Sequence, residues 1–220
     1  MKPKLISFKL CPFVQKAVLT LLTKGVDFDI EYIDLENPPE WFKKISPLGK
    51  VPVLQVGDQV LFESSVIVEY LDEVYGQPLH PSDPLIKAQN RSWMEFGNEC
   101  LYNSFNLIVA PDQAGFDEQR ETLINKLDQL EQKLEDSTYF NGEAISLVDL
   151  SFTPFFQRLD YINEVTPGLI DAARHPRVNR WSDQLLSMDI MPRSTVPEIK
   201  QLYTGMMKKR DGYLSTLMGA

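Results

Sequence analysis

Hydrophobic positions in the first third of the chain switch between strand and helix periods. Lys4 to Phe8 reads as a short buried strand, and Pro12 to Lys24 as a helix with Val14, Ala17, Val18 and Leu21 on one face. Gly25 stops that helix. Phe28 to Ile33 alternates as a strand, and Asn37-Pro38-Pro39 opens a short helix through Ile45. Val51 to Val56 and Gln59 to Phe62 form two strands around the turn Gly57-Asp58. Ser64 to Tyr75 is helical again, with Ile67, Tyr70, Leu71 and Val74 facing inward. The order βαβ then ββα predicts a small mixed sheet with helices on its faces.

The stretch Gly76 to Pro84 holds three prolines and reads as an exposed linker. Beyond it the pattern is helical. Long helices are predicted from about Leu85 to Ala110 and from about Asp117 to Glu135, the second with a seam of Leu123, Leu127, Leu130 and Leu134. Another starts at Ser146, where Ser146-Leu147-Val148-Asp149 has the spacing of an N-terminal cap. Two more run from Pro176 to Ser187 and from Val196 to Arg210. The expected organisation is an α/β domain over residues 1–76, a linker over 77–84 and an all-helical bundle over 85–220.

Composition narrows the function classes. The 220 residues are 43% hydrophobic and 24% charged, ordinary values for a globular protein with a sizeable core. A net charge of -9 argues against nonspecific nucleic-acid binding. No apolar run is long enough to span a bilayer, so no membrane is expected as a partner. No cluster has metal-ligand spacing, and no glycine-rich phosphate loop is present. The two cysteines, Cys11 and Cys100, make no disulfide framework, which points to a reducing cytoplasm.

The candidate chemistry is at Cys11, followed at once by Pro12. A cysteine between a strand and a helix sits where unpaired N–H groups and the helix dipole favour negative charge, hence thiolate. Pro12 suits the first helical position, where a missing N–H costs nothing. Cys100, deep in a predicted long helix, reads instead as a small buried residue. His80 and His175 both read as structural.

Several segments, in this order and spacing, carry a family resemblance. They are Cys11-Pro12-Phe13-Val14-Gln15-Lys16, Pro39-Glu40-Trp41-Phe42, Lys50-Val51-Pro52-Val53-Leu54, Glu63-Ser64-Ser65, Glu69 to Glu73, Leu79 to Pro84 and Ser146 to Leu150. The chain resembles the cytosolic glutathione S-transferases, with the omega class and its bacterial relatives the nearest pattern. That resemblance implies a thioredoxin-like N-terminal domain, a helical C-terminal domain and a two-fold homodimer. It implies glutathione as co-substrate and no metal.

By the same resemblance Cys11 is the catalytic thiol. Val14 stands where a dithiol oxidoreductase carries its second cysteine, so Cys11 needs an external thiol to resolve a disulfide. Val51-Pro52 is expected as a cis peptide, with Val51 pairing to the cysteinyl part of glutathione. Glu63 and Ser64 are expected to hold the γ-glutamyl end, Ser64 as the N-cap of its helix. Phe13 either borders the thiol site or belongs to the core. One position departs from the family: animal omega members carry a lysine two residues before the Glu-Trp pair, and here it is Pro38. Lys43, Lys44 and Lys50 are the alternative cations for the glycine carboxylate, Lys50 preferred for its place beside Val51.

The implied activity is a glutathione-dependent thiol transferase or reductase acting through a Cys11–glutathione mixed disulfide. Its second substrate is an unidentified electrophile or disulfide, with dehydroascorbate reduction among the fitting reactions. The alternative is a non-enzymatic adaptor of the same fold that binds a protein such as RNA polymerase, as stringent starvation proteins do. Those proteins lack the catalytic cysteine. A third reading, from intracellular chloride-channel proteins with a Cys-Pro-Phe motif, is weakened by the Glu63-Ser64 pair.

Overall fold

Four short strands and the helices between them build the N-terminal part. The computed structural model describes residues 2–219. Lys4–Ser7 (β1) leads to helix Pro12–Thr23 (α1), then Asp29–Tyr32 (β2), helix Glu40–Ile45 (α2), Val53–Val56 (β3), Gln59–Phe62 (β4) and helix Ser64–Val74 (α3). The sheet order is β2-β1-β3-β4, with β2 parallel to β1 and the other pairs antiparallel. This is the small mixed sheet that the period changes predicted, with the thioredoxin-like arrangement that the family resemblance implied.

Strand alternation divides the core into two sides. Ile6 and Val53, paired across β1 and β3, are fully buried with Phe42 of α2. Leu5 and Leu54, also paired, point to the other face, which leaves that side to α1 and α3, two helices in mutual contact. Helix α1 ends at a positive-φ glycine, Gly25 (φ 64°). There Gly25 N–H donates to Leu22 O and Val26 N–H to Leu21 O, the bond pair of a Schellman stop.

A buried cation ties the C-terminal ends of these helices together. Lys24 Nζ lies 2.8 Å from Asp72 Oδ1, with both side chains at most 3% exposed. It also donates to the carbonyls of Tyr75 (2.6 Å) and Gln77 (2.7 Å), just past the end of α3. Asp72 accepts in turn from Leu79 N–H (2.7 Å) and His80 N–H (3.3 Å). His80 is buried, with Nε2 2.8 Å from Glu69 Oε1. The residues read as a linker are therefore pinned to the end of the first helical layer.

The helices that follow are Pro84–Val109 (α4), Gln113–Lys133 (α5), Leu147–Asn163 (α6), Pro176–Leu186 (α7), Ile199–Lys209 (α8) and Tyr213–Leu217 (α9). The chain divides into two compact units. One runs through Lys87 and also contains Asp189–Pro197, and the other holds Ala88–Met188 and the chain from Glu198 onward. Asp189–Pro197 thus groups with the sheet, although it lies within the 85–220 stretch read as the helical domain.

In the second unit, Asp149 anchors the start of α6. It accepts from Ser146 N–H (2.8 Å), Ser146 Oγ (2.6 Å), Phe140 N–H (2.9 Å) and Trp181 Nε1 (2.7 Å). Burial pushes its carboxyl up, against the pull of those donors. The predicted seam of Leu123, Leu127, Leu130 and Leu134 is buried. Cys100 is fully buried, as its sequence context predicted.

Replacing Lys24 by Met keeps the length of the side chain but leaves Asp72 buried without its cation. We expect this to cost about 3–5 kcal/mol, the usual penalty for breaking a buried pair from one side. Urea unfolding of Lys24→Met should show a lowered midpoint, and an unchanged midpoint would assign Lys24 no role in joining α1 to α3.

Candidate active site

The site grows from one edge of the sheet. After β1 the chain turns, with Cys11 N–H donating to Phe8 O (2.9 Å). Cys11 is the N-cap of α1, in extended conformation (φ -69°, ψ 114°), and Pro12 is the first helical residue. Its carbonyl accepts from Gln15 N–H (3.3 Å). The first turn of α1 carries no acidic residue. The charge preference of this helix end is therefore not already met by a neighbouring carboxylate.

Cys11 is half-buried, and its Sγ lies 3.8 Å from Val51 O. A thiol is a weak donor, so this contact orients the sulfur without holding it tightly. Val51-Pro52 is a cis peptide, as the family resemblance implied. Pro52 is buried, and β3 starts at the next residue.

Register explains why these segments meet. Ile6 of β1 pairs with Val53 of β3, so the next step of the ladder brings Pro52 level with Ser7. Val53 also pairs with Phe62, the last residue of β4, so Glu63 follows at the same edge. The C-terminal ends of β1 and β4 and the start of β3 thereby gather Cys11, Val51, Pro52, Glu63 and Ser64.

Glu63 has φ 67° and ψ 118°, the one described non-glycine residue with positive φ. It is the N-cap of α3, and Ser64 is the first helical residue. This corrects the expectation that Ser64 caps the helix. Ile67 N–H bonds to Glu63 O, so the helix starts one residue earlier than a serine cap requires. Ser64 is 7% exposed, whereas the Glu63 side chain is on the surface.

Lys50 is exposed, but its backbone is fixed. Its N–H donates to Ser46 Oγ (3.0 Å), whose hydroxyl donates to Lys50 O (2.9 Å). Ser46 is buried, and Gly49 supplies the positive φ of 63° that closes the loop. Of the three candidate lysines, Lys43 is engaged by Glu40 Oε1 at 2.5 Å. Lys50 makes no ion pair among the described residues. Phe13 is half-buried, with Lys16 Nζ 5.4 Å from its ring centroid.

Two site neighbours escaped the sequence. Gln15 and Lys16, to which the sequence pattern assigns no role beyond the Cys11–Lys16 segment, are each 2% exposed. For Gln15 a partner comes from far along the chain, since its Nε2 donates to Ser194 Oγ (2.9 Å). Trp93 and Phe96 of α4 pack edge to face at 5.1 Å, while Tyr102 is exposed. The described residues contain no group of three or more metal-ligating side chains. No described helix is long and apolar enough to cross a membrane.

Comparison with known proteins agrees with this geometry. The family model for the glutathione S-transferase N-terminal domain matches residues 10–74, and that for the C-terminal domain matches 113–184. Glutathione S-transferase omega-1 of Sus scrofa is 35% identical over 161 residues, covering 71% of this chain and 67% of that protein. The Mus musculus omega-1 protein is 31% identical over 208 residues, covering 91% of this chain and 85% of its own. The crystal structure of glutathione transferase Omega 3C from Trametes versicolor superposes with a TM-score of 0.79 at 23% identity, covering 89% of each chain. At that identity the structural likeness speaks for the fold, and the sequence relatives speak for kinship. The chain belongs to the glutathione S-transferase family, and omega-class proteins are among its relatives.

Proposed function

We propose that this protein is a glutathione-dependent thiol transferase of the omega type, with Cys11 as the nucleophile. The observation that carries the reading is the half-buried Cys11 thiol at the N-terminus of α1, facing the Val51 carbonyl. A helix N-terminus without an acidic residue favours the thiolate, which is the attacking species. Val14, buried in α1, leaves no second thiol in the first turn.

Cys11 thiolate attacks the glutathione sulfur of a mixed disulfide. The Cys11–glutathione bond forms, the old disulfide breaks, and the released thiolate takes up a proton. A second glutathione, as thiolate, attacks the bound glutathione sulfur. Glutathione disulfide leaves, and Cys11 thiolate returns. With dehydroascorbate the same thiols supply the two electrons.

Each remaining site residue has a role on this reading. Val51 offers its backbone to the cysteinyl portion of glutathione, in the manner of an added strand beside Pro52. Glu63 meets the γ-glutamyl amino group. Ser64 and the N–H groups at the start of α3 meet its carboxylate. Lys50, with no ion pair among the described residues and its backbone held by Ser46, takes the glycine carboxylate in place of the lysine that Pro38 displaces. Phe13 borders the sulfur. We extend the proposal to a cytoplasmic homodimer, on family resemblance and two cysteines outside any disulfide. Nothing in the site favours the adaptor alternative.

Incubation with glutathione disulfide should add one glutathione, about 305 Da, to the wild-type protein and none to Cys11→Ala. No adduct, together with no heat of glutathione binding in calorimetry, would sink the enzyme reading. Lys50→Ala should weaken glutathione binding about two- to fivefold with little change in kcat, since an exposed ion pair acts on bound and activated states alike. A Kd equal to that of wild type would move the carboxylate contact away from Lys50. Glu63→Gln should raise KM for glutathione about tenfold or more through loss of a charge-assisted hydrogen bond. Wild-type KM in that variant would remove Glu63 from the binding site.

A further inference from the structure

Helix α1 is buried from Val14 through Leu21, polar residues included. A helix lying on a sheet ordinarily leaves one stripe to water. Here the side chain of Gln15 reaches a residue 179 positions away, Ser194. Ser194 belongs to Asp189–Pro197, the short return of the chain that groups with the sheet unit. That return contains a single 3-10 turn at Met191–Arg193, with Ile190, Met191 and Ser194 buried.

The hydrogen bonds run in one direction. Ser194 Oγ donates to Met191 O (2.8 Å), which uses its only proton. It therefore accepts from Gln15, whose amide nitrogen lies 2.9 Å away. Gln15 N–H in turn donates to Cys11 O (3.3 Å), the first bond inside α1. Gln15 is thus held by the return segment through its side chain and joined to Cys11 through its backbone. Beside it the buried Lys16 sits over the ring of Phe13, two residues past the thiol.

We propose that Asp189–Pro197 is a clasp on α1, and that Gln15 and Ser194 are positioning residues for Cys11. The clasp fixes the first turn of the helix and so aims its N–H groups at the sulfur. Both act through the helix backbone. The proposal rests on the reading of Cys11 as the reactive thiol.

The test is the rate of Cys11 alkylation by iodoacetamide as a function of pH, read by peptide mass. It is run on wild type, Gln15→Leu, Ser194→Ala, Ser194→Thr and the Gln15→Leu/Ser194→Ala double variant. Cys100, fully buried, reports unfolding in the same samples. In Gln15→Leu and Ser194→Ala we expect the neutral-pH rate to fall about five- to tenfold and the profile to move to higher pH, with Cys100 still protected. Ser194→Thr keeps the hydroxyl and should restore the wild-type profile. The double variant should lose no more than either single change, because both break one connection. Unchanged Cys11 profiles in variants that keep Cys100 protected would overturn the clasp and leave the thiol reading intact. Faster Cys100 labelling with an unmoved Cys11 profile would also overturn it, as a purely structural contact. A wild-type Cys11 that reacts no faster than an ordinary free thiol would overturn the thiol reading itself, and the clasp with it.

Discussion

The candidate site depends on the pairing of β3 against β1. With Ile6 opposite Val53, the cis Val51-Pro52 segment reaches the same end of the sheet as Cys11. A slip of one residue in β3 would carry Val53 to the opposite face, away from Ile6 and Phe42. The buried trio Ile6, Phe42 and Val53 therefore fixes the register, and the register brings the Val51 carbonyl to 3.8 Å from the thiol. Core packing and site geometry are two consequences of one constraint. Proline at residue 52 then ends the ladder, since it has no N–H to donate. That leaves the backbone of Val51 outside the sheet, beside Cys11.

The second constraint is electrostatic. Cys11 occupies an N-cap position but makes no side-chain capping bond. The sulfur is thus not consumed in closing the helix, as a serine or aspartate oxygen in that place would be. Pro12 supplies no N–H, and the first turn has no acid, a setting that favours the proposed Cys11 thiolate. With Val14 rather than a cysteine three residues on, any disulfide formed at Cys11 must be resolved from outside. Local helix chemistry at a strand-to-helix junction thus supports the proposed monothiol mechanism.

Much of this was legible because its causes are local. The turn between β3 and β4, the stop at Gly25 and the anchor at Asp149 each follow from neighbours a few residues apart. The Cys11-Pro12 junction does too. The misses share a different origin. Ser64 was taken as a cap because serine favours that position, but the backbone of Glu63 at φ 67° starts the helix one residue earlier. Helix α5 begins at Gln113 because Asp112 caps it through Gly115 N–H (2.9 Å), ahead of the apolar periodicity that suggested residue 117. Gln15 is buried with a hydrogen-bond partner 179 positions away, which no local pattern in α1 encodes. The short helix α9 forms where Tyr213 N–H finds Ala110 O (2.7 Å), again a distant partner.

Glu63 shows how the sheet sustains an otherwise unfavourable residue. A non-glycine side chain held at positive φ outside the left-handed helical region costs about 1–3 kcal/mol. A glycine would relieve that cost, yet it would remove the carboxylate. Two neighbours hold the conformation: Phe62 is fixed by its pairing with Val53, and Ile67, fully buried in α3, takes the Glu63 carbonyl into the helix. Between a strand end and a helix start that are both set by packing, the backbone has one residue in which to turn. The strain is the consequence of placing an acidic side chain at the edge where Cys11 and Val51 already meet. On the proposed reading that side chain meets the γ-glutamyl amino group of glutathione.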